Sequence, residues 1–138
     1  SLIILSASSE IFFWVCKDFL SSSKASSLSD LASFNSVLVH KVCSTFALAR
    51  EIEWSSRRFV LEMVNEDEEG IGTHLKIDHK SPALEGEEIE IMAKLKAIIE
   101  NEIICEIEVK VNNRIIATGV TGQKILKRTK IASLLENL

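Results

Sequence analysis

The feature that most limits the fold of this chain is one stretch, TFALAREIEWSSRRFVLEMV at residues 45–64. It contains neither Gly nor Pro, and Leu48, Ile52, Ser55/Ser56, Phe59 and Met63 recur along it at helical spacing. Residues three and four apart share one helix face, so the stretch predicts a single long amphipathic helix, ended by the acidic run NEDEEG. Strand patterns dominate the remainder of the chain. Ile71 to His79 is the first strand. Ile89, Ile91, Ala93, Leu95 and Ala97 line one face of a second, and Ile103, Cys105, Ile107, Val109 and Val111 line one face of a third. Asn112-Asn113 suits a hairpin turn, since Asn tolerates positive φ. IIATGVTGQKILK reads as the last strand, IASLLENL as a short terminal helix, and VLVHKV as a short strand ahead of the long helix. One long helix serving hairpin-linked strands is an α+β pattern, an antiparallel sheet wrapped around a central helix. A single helix leaves much of such a sheet uncovered, so a homodimer is expected.

Size and charge exclude several classes. At 138 residues the chain makes one domain with one core. A formal charge of −4 argues against a general nucleic-acid binder. The longest apolar runs, such as IFFWVC at 11–16, fall far short of a membrane span, and no basic segment precedes an apolar one as a secretory signal would require. Cys16, Cys43 and Cys105 are widely spaced with no C-x-x-C, which fits a reducing compartment and a cytoplasmic protein. Composition divides the chain into 1–36, which ends in the serine-rich SSSKASSLSDLASFNS and has no functional reading, and 37–138, where the patterns sharpen.

The stretch GTHLKIDH at 72–79 carries two histidines five residues apart. A strand sends successive side chains to opposite faces, so an odd separation divides the pair. His79 then shares its face with Ile77, Leu75 and Thr73, and His74 shares the other with Lys76 and Asp78. A regular strand cannot bring both onto one metal ion, and no metal is expected.

Three segments together, STFALAREIEW, GIGTHLKIDHKSP and GVTGQK, resemble the hotdog-fold acyl-CoA thioesterases, in particular the group similar to fluoroacetyl-CoA thioesterase. The resemblance covers roughly residues 37–128. It implies a hotdog fold over 37–138, a homodimer, and hydrolysis of a short-chain acyl-CoA to free acid and CoA. Coenzyme A enters as part of the substrate, and no separate cofactor is implied. Position by position, the resemblance implies Thr45, Glu53 and His79 as the catalytic set and Gly72 against the substrate. Gln123 falls where relatives carry a substrate-contacting arginine, and Phe46 replaces the proline usual after the threonine.

These residue types suit the chemistry without the family. Thioester hydrolysis needs an activated water or nucleophile, a base, and donors for the developing oxyanion. Backbone N–H groups at a helix start supply such donors, and a glycine lets a ligand approach the main chain. Plainer roles compete: a helix cap for Thr45, an i,i+4 ion pair with Arg57 for Glu53, a bulge for Gly72. Thr45 and Glu53 lie two helical turns apart, too far for direct contact, so their partnership calls for a second chain or a bound substrate. The run KILKRTK, with Lys124, Lys127 and Arg128, is the densest basic stretch and a candidate for the CoA phosphates, or equally for guarding a strand edge. A non-catalytic acyl-CoA-binding or regulatory module is the alternative function.

Overall fold

A computed structural model describes the backbone of residues 2–3, 7–8, 11–16, 31–34 and 37–138, and side chains from His40 onward. Most of the serine-rich tract lies outside the described residues. The elements are β1 (Leu2–Ile3), β2 (Ala7–Ser8), β3 (Ile11–Cys16), β4 (Leu31–Phe34), β5 (Val37–Cys43), α1 (Thr45–Met63), β6 (Glu68–His79), β7 (Ile89–Ile99), β8 (Glu102–Val111), β9 (Arg114–Lys127) and α2 (Arg128–Glu136). An antiparallel sheet runs in the order β1-β3-β7-β8-β9-β6, with β2 also on β3, while β4 and β5 form a separate pair. Strand β3 pairs with β7, so residues 11–16 extend the same sheet as the later strands.

Helix α1 packs against β3, β6, β7, β8 and β9. Its buried face is Ala47, Leu48, Ile52, Ser55, Ser56, Phe59 and Val60, the stripe expected from the spacing, except that Met63 is exposed because the buried stripe ends at Val60. Opposite lie Ile89, Ile91 and Ala93 of β7 and alternate residues of β8 from Ile103 to Val111, all buried. The Asn112 turn forms with φ of 52°. The first strand after the helix begins at Glu68, three residues earlier than its alternation suggests, since Gly70 allows close passage under Val60. The terminal helix begins at Arg128 and has no buried residue.

One irregularity decides how the site is built. The β6–β9 ladder pairs Gly72 with Gln123 and then His74 with Gly122, leaving Thr73 as the extra residue of a β-bulge. Parity alone assigns Thr73 to the face of His79, and the bulge overturns that. The Thr73 hydroxyl donates to the Glu102 carboxylate. A Cβ placed on Gly122 would meet Thr73 Oγ1, Glu102 Oε1 and His74 Nδ1, so Thr73 and His74 share the outer face. Gly72, Leu75, Ile77 and His79 remain on the helix side. Gly72 and His79 are seven residues apart and would otherwise face opposite ways.

Candidate active site

Ser44, not Thr45, caps the helix. Its Oγ accepts the N–H of Ala47 at 3.1 Å, and its backbone is extended, as an N-cap requires. Thr45 is therefore the first helical residue, with its hydroxyl free to reach outward. It meets His79, the last residue of β6, with Oγ1 and Nε2 3.1 Å apart and both residues exposed. The loop after His79 steadies this end: Cys43 N–H donates to Ala83 O at 2.9 Å, and Arg114 Nη2 pairs with both oxygens of Glu87 at 2.8 Å. Glu87 also accepts the Leu84 N–H, and that bond first, then Arg114, holds its carboxyl below the usual carboxylate range.

Glu53 lies two turns further along α1, about 12 Å in axial rise. Arg57, the partner in the plainer ion-pair reading of Glu53, turns instead to Glu69 at 2.7 Å. The Glu53 carboxylate instead reaches Gly72, where an added Cβ would sit 3.0 Å from Oε1. Gln123, opposite Gly72 in the ladder, is only 4% exposed and donates from Nε2 to Ser56 Oγ at 3.0 Å and to Glu53 O at 3.3 Å. Glu53, Gly72, His74, Leu75, Thr121 and Gln123 line a cavity of about 250 Å³. Glu53 also edges a groove of about 510 Å³ along the helix, beside Arg50, Trp54 and Arg57.

The expected residues thus form two clusters. Thr45 and His79 are in contact at one end of β6, while Glu53, Gly72 and Gln123 meet towards the other end. Seven strand residues place the ends on the order of 20 Å apart. The basic run is already engaged: Lys127 Nζ lies 2.9 Å from Asp67 and Arg128 Nη2 lies 3.4 Å from Glu69. Hydrogen bonding and charge from Lys127 hold the Asp67 carboxyl below its usual range. Lys124 stands opposite Ile71 on one side and Glu102 on the other. Sequence reasoning missed Ser56, whose signal was a serine pair inside an apolar helix stripe. Cys105 is buried, and desolvation pushes its thiol up to about 11, which keeps it protonated and unreactive.

A long helix clasped by an antiparallel sheet defines a hotdog fold. Solved structures agree on the fold. A Thermus thermophilus hypothetical protein, a thioesterase superfamily member, superposes with a TM-score of 0.77 at 24% identity over 93% of this chain and 88% of that one. A hot-dog-like protein from Thermanaerovibrio acidaminovorans gives 0.76 at 13% identity over 92% and 88%. A mutant of the fluoroacetyl-CoA-specific thioesterase FlK gives 0.67 at 15% identity over 76% and 78%. No curated protein matches the sequence. The model of the fluoroacetyl-CoA-specific thioesterase family matches residues 27–129, and the chain belongs to that family.

Proposed function

We propose that this protein is a homodimeric cytoplasmic thioesterase that hydrolyses a short-chain acyl-CoA, with Thr45, Glu53 and His79 as its catalytic residues. The contact of Thr45 with His79 carries the reading, because a capped helix start leaves that hydroxyl with no structural duty. In this mechanism Glu53 removes a proton from water as the water oxygen bonds to the thioester carbonyl carbon. The tetrahedral intermediate collapses, the C–S bond breaks, and the CoA sulfur leaves with a proton from His79, which Glu53 then replaces. The products are free acid and CoA thiol. Thr45 orients the His79 ring, and the N–H groups of Thr45 and Phe46, which precede the first intrahelical bond from Leu48, suit the oxyanion. Gly72 and Gln123 border the acyl end.

A second copy completes the site in this reading. Among the described strands β6 pairs only with β9, so its other edge is open over twelve residues. Antiparallel pairing of two such edges about a twofold through Lys76, with Thr73 taken up as the extra residue of the bulge, sets Gly72 opposite His79 of the partner subunit. Each Glu53 then faces the Thr45–His79 pair of the other chain. No helix among the described residues is long and apolar enough to cross a membrane. The CoA phosphates would exchange for the carboxylates now paired with Lys127 and Arg128, with Lys124 alongside.

Structures of FlK mutants contain acetyl-CoA, or fluoroacetate and CoA, which directs the choice of substrates. The test is release of free thiol from acetyl-, fluoroacetyl-, propionyl- and butyryl-CoA. Turnover of at least one supports the reading. Binding of all without thiol release makes the protein an acyl-CoA-binding module instead.

A further inference from the structure

Gln123 touches both sides of the gap that holds Glu53. Its main chain is in register with Gly72, the residue the carboxylate rests against. Its side-chain amide donates to the Glu53 carbonyl and to Ser56 Oγ, while Ser56 Oγ donates to that same carbonyl at 2.9 Å. Side-chain hydrogen bonds join α1 to the sheet from Thr45 to His79, from Arg57 to Glu69, and here at Glu53. Gln123 and Ser56 are both buried, so water cannot substitute for either partner.

We propose that Gln123 is a positioning residue, which with Ser56 sets the height of the Glu53 carboxylate over Gly72. The proposal rests on the reading of Glu53 as the water-activating base. A side chain whose donor is committed to the helix controls rate through the base it places, rather than affinity through a bond to the acyl group. Misplacing a reacting group by about 1 Å is enough to cost as much as a hundredfold in rate.

The experiment compares kcat, KM and Tm for wild type, Gln123→Met, Ser56→Ala, Glu53→Gln and the Gln123→Met/Glu53→Gln double variant, on whichever of the four acyl-CoA esters turns over fastest. Met keeps the length and removes the amide. Gln123→Met is expected to lower kcat by about ten- to a hundredfold with KM within about threefold, and Ser56→Ala to lower it less. On the Glu53→Gln background, Gln123→Met should change kcat less than about twofold while lowering Tm as it does in wild type. An unchanged kcat with a raised KM overturns the proposal in favour of direct substrate contact. An equal kcat loss on both backgrounds overturns it in favour of a purely structural role. Glu53→Gln with wild-type turnover overturns the underlying reading as well, which separates the two failures. Should Gln123→Met fail to fold, Ser56→Ala in the same cycle decides between positioning and structure by the same two criteria.

Discussion

Thr45 Oγ1 and His79 Nε2 lie 3.1 Å apart although 34 positions separate them in sequence, and the neighbour that permits this is Ser44. By accepting the Ala47 N–H, Ser44 caps the helix and leaves Thr45 for His79. Ser44→Ala should therefore cost about 1 kcal/mol of stability, the usual worth of a cap, and Thr45→Val should cost activity instead. Urea unfolding of both variants, with turnover measured alongside, checks the division.

The two histidines should separate cleanly. His79→Ala should lower kcat at least about a hundredfold, as loss of a positioned acid/base does. His74→Ala, on the outer face beside Thr73 and Glu102, should stay within about threefold of wild type, in the range of a residue with no transition-state contact. A more damaging His74 variant would place the functional face on the wrong side of β6.

Two glycines of β6 face different neighbours. A Cβ at Gly70 would come within 2.5 Å of Val60 Cγ1 in the core, so Gly70→Ala should destabilise by about 1–3 kcal/mol, as overpacking does. At Gly72 the obstacle is the flexible end of Glu53 at 3.0 Å, so Gly72→Ala should fold with little loss yet displace the carboxylate. Thermal melts should separate the first variant from wild type, and kcat the second.

The helix, the strand alternation of β8 and the Asn112 turn were legible in the chain, because periodicity and residue type carry them, whereas Thr45, Glu53, Gly72 and His79 were picked out by the resemblance of three segments to a family. The bulge was not. It changes the parity of one strand without changing its composition, and only the pairing of Gly72 with Gln123 beside that of His74 with Gly122 reveals it. The sequence offered Thr45 as the cap, one residue too late, because Ser and Thr suit an N-cap alike and Ser44 stands next to it. The partner of Arg57 was hidden for another reason: Glu69 lies next to it only after β6 folds back along α1.

Stability should depend on pH on the acid side. The Glu87 carboxyl is depressed by the Leu84 N–H and by Arg114, so its contribution is fully present above the unfolded-state value near 4.3 and is lost as pH falls through the lower folded-state value. Glu87→Gln should therefore lower Tm at neutral pH and flatten its decline between about pH 5 and 3. Equal slopes for variant and wild type would contradict the assignment.

The measurement that bears most directly on the shared site mixes two inactive proteins. His79→Ala and Glu53→Gln are each refolded alone and then together in equal amounts, with gel filtration confirming dimers in every sample. In a random mixture half the dimers are mixed, and each carries one intact site, made from Glu53 of one chain and His79 of the other. Thiol release should recover to about a quarter of wild type, as expected for a twofold dimer with sites between chains. A mixture as inactive as its two components would contradict the account.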